Sequence, residues 1–180
     1  MQNVKMVVTG PFNSGKTEFI HTVSEIDVVS TEKKISGADE KSVKDTTTVA
    51  MDFGRITVDE NLVLYLFGTP GQKRFDFMWE ILSEGMLGFI VMIDSTRPET
   101  FREARGILET FRAYAPTPYI VAANKQDCPD AWDPSDMRHV LRLDTGVKIL
   151  PCVATDRARV KNVLLELLYS ILEEMGSSKQ

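Results

Sequence analysis

Eight consecutive residues near the start of the chain, Gly10-Pro11-Phe12-Asn13-Ser14-Gly15-Lys16-Thr17, leave few folds open. They follow a short apolar, β-branched run from Val4 to Val8 and lead into a segment, Lys16 to Val23, with helical character. A strand that turns through a glycine-rich loop into a helix points successive amide N–H groups and the positive helix end at one place. Gly10 and Gly15 permit the torsions that curl such a loop, and Lys16 adds a full positive charge. The order Gly, four residues, Gly, Lys, Thr is that of a loop that cradles phosphate groups. Its expected lining is Gly10, Asn13, Ser14, Gly15, Lys16, Thr17 and Glu18, with the Thr17 hydroxyl as a ligand for a magnesium ion bridging the phosphates.

The rest of the chain supplies the architecture such a loop needs. Val49 to Ile56 and Leu62 to Phe67 read as an antiparallel hairpin turning at Asp59-Glu60-Asn61, and Gly88 to Ile93, Tyr119 to Ala123 and Val147 to Cys152 as short buried strands. Between the first two of those strands lies a helix expected to start at Thr96 as N-cap, with Pro98 in the first turn and Phe101, Ala104, Leu108, Phe111 and Tyr114 as its apolar face. The C-terminal helix has the clearest period, with Val160, Val163, Leu164, Leu167, Leu168, Ile171, Leu172 and Met175 expected in the core. Ser30 to Thr47, polar and without a period, is expected to be a mobile loop. Alternating strands and helices predict an α/β, three-layer fold: a six-stranded, mostly parallel sheet with one antiparallel edge strand, helices on both faces, and ligands at the carboxyl ends of the strands. With 180 residues, 43% of them hydrophobic, one domain spanning 1–180 is expected.

A phosphate loop does not name a base. Asn124-Lys125-Gln126-Asp127, placed directly after the strand Tyr119 to Ala123, does so. A carboxylate there can accept hydrogen bonds from the N1 and N2 donors of guanine, which adenine cannot offer. A polar loop that merely follows a strand is the bland reading of four such residues. Their position well downstream of the phosphate loop favours the base reader.

With both motifs present, the chain resembles the Ras-like small GTPases over nearly its whole length. The resemblance implies bound GTP or GDP with Mg2+, and a switch cycle closed by slow hydrolysis. In Thr46-Thr47-Thr48-Val49-Ala50-Met51-Asp52-Phe53 it assigns Thr48, with Thr47 as fallback, as the threonine that grips magnesium and the γ-phosphate; a threonine-rich strand entry is the alternative. In Gly68-Thr69-Pro70-Gly71-Gln72 it assigns Gly71 to the γ-phosphate and Gln72 to the attacking water. In the downstream loop it assigns Ala154, through its main-chain amide, and Thr155 to the base, alongside Asn124, Lys125 and Asp127. Two positions depart from the family. Gly68 stands where a magnesium-linked aspartate is usual, which predicts weaker dependence of nucleotide affinity on magnesium. Phe12 stands where glycine is usual and would crowd an incoming arginine, so hydrolysis is expected to be slow or to use Arg55 or Arg74 from the same chain.

The segments around Thr48 and Gln72 look closer to the prokaryotic branch of that group, which implies regulatory and effector proteins as partners, roadblock-type regulators among them. A GTP-bound adaptor that does not hydrolyse, and a P-loop phosphotransferase, are the alternatives. A net charge of -5 argues against nucleic acid and anionic membranes as partners. The sequence carries no apolar run of about 20 residues and no lipidation signal, so a cytoplasmic protein without a direct membrane anchor is expected. Cys128 and Cys152 are read as free thiols, and His21 and His139 as surface or core residues rather than metal ligands. Phe75, Phe77, Met78 and Trp79, just past the Gln72 segment, divide between core and partner surface.

Overall fold

A computed structural model describes residues 2–30, 33–35, 47–49, 51–71 and 75–177. Its strands are β1 (Gln2–Thr9), β2 (Val29–Ser30), β3 (Lys33–Ile35), β4 (Thr47–Val49), β5 (Asp52–Asp59), β6 (Leu62–Gly68), β7 (Gly88–Asp94), β8 (Tyr119–Asn124) and β9 (Lys148–Pro151). The helices are α1 (Lys16–Val23), α2 (Phe77–Ser83), α3 (Phe101–Tyr114), α4 (Pro134–Leu141) and α5 (Arg157–Ser177). The main sheet runs β2-β5-β6-β1-β7-β8-β9. From β6 to β9 every neighbour is parallel, while β5 is antiparallel to β6. The six expected strands are all present. The two residues of β2 extend the antiparallel edge by pairing with β5.

Parallel strands covered on both faces must be apolar on both, which is why they read as continuous hydrophobic runs. In β1, Met6 and Val8 face a core shared with α1 and α5, while Val7 faces a second core shared with α3 and α4. β7 divides in the same way, Ile90 and Met92 to the first core and Phe89, Val91 and Ile93 to the second. Both layers seat their helices so that the loops after β1, β8 and β9 meet at one end of the sheet. That end is where the motif residues lie.

Several expectations need correction. The segment from 30 to 47 was expected to be a loop, yet Ser30 ends β2, and Lys33–Ile35 pairs antiparallel with Thr47–Val49 as a separate two-stranded sheet. The strand expected from Val49 through Ile56 is two strands: β4 stops at Val49 and β5 begins at Asp52. Thr96 does not cap α3. Its hydroxyl donates back to Asp94 at 2.7 Å, and a single 3-10 turn, Pro98–Thr100, precedes the helix. Proline has no N–H to donate and disfavours helical torsions in the residue before it, which fits a start delayed to Phe101. Of the α5 stripe, Val160 to Ile171 is buried, whereas Leu172 and Met175 are exposed. Phe75 and Trp79 are buried and Phe77 is exposed. No helix among the described residues is long and apolar enough to cross a membrane.

Candidate nucleotide-binding site

The phosphate loop owes its shape to three residues with positive φ: Gly10 at 144°, Asn13 at 63° and Gly15 at 101°. Asparagine tolerates the left-handed region better than most residues, and glycine occupies it freely. A side chain at Gly10 would also strike the Met92 carbonyl of β7. The Lys16 ammonium is buried and folds back on the loop, donating to the carbonyls of Gly10 at 2.9 Å and Pro11 at 2.8 Å. Burial lowers its pKa from the ordinary lysine value to about 8, against the opposing pull of the Asp52 and Glu103 carboxylates. Thr17 donates its hydroxyl to the Asp52 carboxylate at 2.6 Å. Glu18 is exposed beside them on the first turn of α1.

The Thr69-Pro70-Gly71 segment lies directly against this loop. A Cβ at Gly71 would stand 2.6 Å from Phe12 Cα and 2.9 Å from Lys16 Nζ, so only glycine brings the backbone this close. Its approach is fixed from behind: the Trp79 indole donates to the Pro70 carbonyl at 3.1 Å, and the Thr69 hydroxyl to the Thr9 hydroxyl at 2.9 Å. Phe12, Lys16, Thr17, Asp52 and Gly71 line one cleft of about 330 Å³. A larger cleft of about 590 Å³ lies between α2 and α3, but it is lined by Asp76, Arg102 and Glu103 with no curled loop of amides, so it is not where phosphates would bind.

At the other end of the site, Asn124 is a buried clamp. Its side-chain amide donates to the Ser14 carbonyl at 2.9 Å, and its side-chain oxygen accepts from the Ala154 amide at 2.9 Å. Ala154 in turn accepts from the Thr22 hydroxyl at 2.6 Å. One asparagine thus ties the phosphate loop, the end of β8 and the loop after β9 together. The Ala154 N–H, expected to face a ligand, is committed to Asn124 instead. A buried asparagine oxygen must be satisfied, and this is the donor that reaches it. Lys125, with φ 63°, extends to the Asp94 carboxylate at 2.5 Å. Burial pushes Asp94 up, but hydrogen bonds from Lys125 and Thr96 outweigh it and hold the carboxyl below its ordinary value. Asp127 and Thr155 are exposed, Asp127 on the turn closed by the Cys128 N–H donating to the Lys125 carbonyl at 3.0 Å.

Residues 26–174 match the family described as "Conserved hypothetical ATP binding protein". An uncharacterized protein of Methanocaldococcus jannaschii is 32% identical over 127 residues, 71% of this chain and 73% of that one. The Ras-related protein SEC4 of Saccharomyces cerevisiae is 27% identical over 138 residues, 74% of this chain and 64% of its own length, and human Ras-related protein Rab-3D is 25% identical over 180 residues, 97% and 76%. Among solved structures, the Arl6 BBS3 small GTPase of Trypanosoma brucei, with bound nucleotide analogue GppNp, superposes at a TM-score of 0.75 with 16% identity, over 96% of this chain and 99% of that one. The chain belongs to the family of that conserved hypothetical ATP binding protein, and its fold is that of the Ras-like small GTPases.

Within that GTPase fold the departure at Gly68 acquires a structural answer. In the β5–β6 register Asp52 is the direct partner of Gly68, and a Cβ at Gly68 would lie 3.1 Å from Asp52 Cβ and 3.3 Å from its Oδ2. A carboxylate thus stands across the ladder on β5, in the space the glycine leaves. Asp52 and Thr17 form a pair of hard oxygen donors, which suits Mg2+, an ion commonly held by one or two carboxylates together with phosphate oxygens and water. Among the described residues no group of three His, Cys, Asp or Glu could hold a metal unaided.

Thr48 sits in β4, opposite Lys34 in the small separate sheet. Arg55, a candidate catalytic arginine, lies on β5 beside Ser24 and Glu25 at the end of α1, away from the cleft. Gln72 and Arg74 lie outside the described residues. Sequence reasoning missed Asp52 and Asp94. For Asp52 the available signal was an acidic residue opening a strand just ahead of Phe53; for Asp94 it was an acidic residue closing a fully buried strand.

Proposed function

We propose that the chain is a GTP/GDP switch in which slow hydrolysis ends the active state. The observation that carries this reading is the Asn124 clamp, which holds the base-reading turn bearing Asp127 at a fixed place relative to the phosphate loop. Asp127 accepts from the two guanine donors; with adenine it would face an acceptor and lose both bonds. The family description names ATP, and that is the second reading. Its match begins at residue 26, beyond the phosphate loop, and includes Asp127, whose chemistry favours guanine.

Lys16 exchanges the carbonyls of Gly10 and Pro11 for phosphate oxygens. Thr17 and Asp52 would hold a magnesium ion, which would supply positive charge against the phosphates. Gly71 packs against the Lys16 ammonium, so whatever Lys16 grips is felt at once by the segment leading to Gln72 and α2. Thr48 closes the site from the β4 side and Gln72 orients the attacking water. Phe12, 63% exposed at the cleft mouth, obstructs an arginine offered by a partner and keeps turnover low. The output is binding of regulatory and effector proteins, roadblock-type regulators included, with the exposed Phe77 and Ile81 of α2 as the apolar part of the contact. We place this activity in the cytoplasm, where Cys128 and Cys152 stay reduced; both are unpaired, and burial pushes Cys152 up to about 12.

Identification of the nucleotide released on denaturing the purified chain, followed by its conversion rate with magnesium, tests the proposal. Guanine nucleotide with slow conversion to GDP is expected. Adenine nucleotide, or GTP that is never converted by wild type and is unaffected by Gln72→Ala, contradicts the switch.

A further inference from the structure

Helix α5 is apolar on two sides. Beyond the stripe it buries, Leu165, Tyr169 and Leu172 stand 41%, 54% and 48% exposed, spaced four and three residues apart so that they form one outward row. Beside Leu165 opens an apolar groove of about 230 Å³ between α5 and the β5–β6 hairpin, lined by Ile56, Val58, Leu64, Lys161, Leu164 and Leu165. Charge brackets the row. Lys161 lies one turn before Leu165 and Glu173 one turn after Tyr169, on the same side of the helix.

We infer that this face docks on a second copy of the chain, with the two α5 helices antiparallel about a two-fold axis passing between Leu165 and Tyr169. Such an axis sets Leu165 opposite Tyr169 of the second copy, Lys161 opposite Glu173, and Ala158 opposite Gly176. Each Tyr169 ring then enters the groove beside Leu165 of the other chain. Each end of the helix pair closes on a cation facing an anion, with small residues letting the backbones approach. A parallel arrangement would oppose Lys161 to Lys161 and Glu173 to Glu173. The charge order therefore selects both the orientation and the occupant, since the surface is complementary to itself, as an isologous contact requires. The face leaves the nucleotide cleft open: Ile56 pairs with Leu64 and Leu64 with Val4, near the start of β1, whereas Asp52 and Gly68 align with its end.

One helix face and a groove make a contact smaller than the roughly 800 Å² per partner of standard stable interfaces, so the dimer is weak, with a dissociation constant on the order of 10 to 100 μM. Sedimentation of the full chain from about 5 to 500 μM, spanning that range, reads it out. A reversible monomer–dimer equilibrium is expected. Tyr169→Ala should weaken it by at least about tenfold, as loss of a central aromatic does. Lys161→Glu and Glu173→Lys should each weaken it, and the double variant should regain most of the loss. All these positions are exposed, so unchanged melting temperatures separate lost association from lost folding. A wild-type chain that stays monomeric throughout, or a dimer indifferent to Tyr169→Ala and to the charge reversals, overturns the inference.

Discussion

The two ends of the cleft are built on opposite principles. At the base end, Asn124 satisfies Ser14 and Ala154 at once, and Lys125 is locked to Asp94. Those contacts are made within the protein, between side chains and loops that flank the site. At the phosphate end, Lys16 spends its hydrogen bonds on the loop's own carbonyls, Thr17 spends its proton on Asp52, and Gly71 presses on Phe12. Each of those groups must change partner to receive a phosphate or a metal. A site with one fixed and one exchangeable end fixes which base is taken before the phosphates arrive and lets the phosphates decide the conformation.

The largest effect should come from breaking the fixed end. Asn124→Ala leaves the Ser14 carbonyl and the Ala154 N–H buried and unpaired, at a cost of about 2 to 4 kcal/mol to folding. Thermal melts should fall by several degrees, and nucleotide affinity by about a hundredfold, since both loops lose their tether. If affinity dropped only slightly while stability fell, the clamp would be structural and the contrast between the ends would fail.

Next comes the exchangeable end. Asp52→Ala should lower GDP affinity by about tenfold in magnesium and leave it unchanged in a chelator, flattening the magnesium dependence of GDP release. Gly68→Asp alone should be destabilising, because the new Cβ would meet Ile20 Cδ1 at 2.9 Å and Asp52 Cβ at 3.1 Å. Combined with Asp52→Ala it should restore the magnesium dependence. A single Asp52→Ala variant with wild-type dependence would show that the β5 carboxylate is not a magnesium partner.

The smallest effect is on pH. Lys16 has its folded pKa lowered to about 8, while the unfolded chain keeps the ordinary value near 10.5. Between those values the folded, ligand-free chain has lost a proton that the unfolded chain still holds, so stability rises with pH there. Binding a polyphosphate requires that proton back, so affinity should fall by up to about tenfold per pH unit above 8. Titration of affinity from pH 7 to pH 10 would show the bend. A flat profile would mean that the ammonium is already exposed to solvent.

What the sequence disclosed and what it concealed divide along the line between local and remote geometry. The phosphate loop, the Asn124 turn and the apolar strands were legible because each depends on spacing within a few residues. Asp52 was not, because its meaning comes from facing Gly68 across a ladder whose register depends on the Asp59-to-Leu62 turn. The break between Val49 and Asp52 was hidden because Ala50 and Met51 include no glycine or proline to mark a turn. Leu172 and Met175 keep the helical period yet are exposed, and periodicity alone cannot say which neighbouring elements cover a helix face. The partner of the Ala154 amide was hidden for a similar reason, since it is a side chain 30 residues away.

The central claim is that a preset base end chooses guanine. Equilibrium competition of GTP against ATP for the magnesium-loaded chain measures it directly. Guanine should win by at least about a hundredfold, the value of two lost hydrogen bonds at a carboxylate. Equal affinity for the two, or preference for ATP, would contradict the role given to Asp127 and the reading built on it.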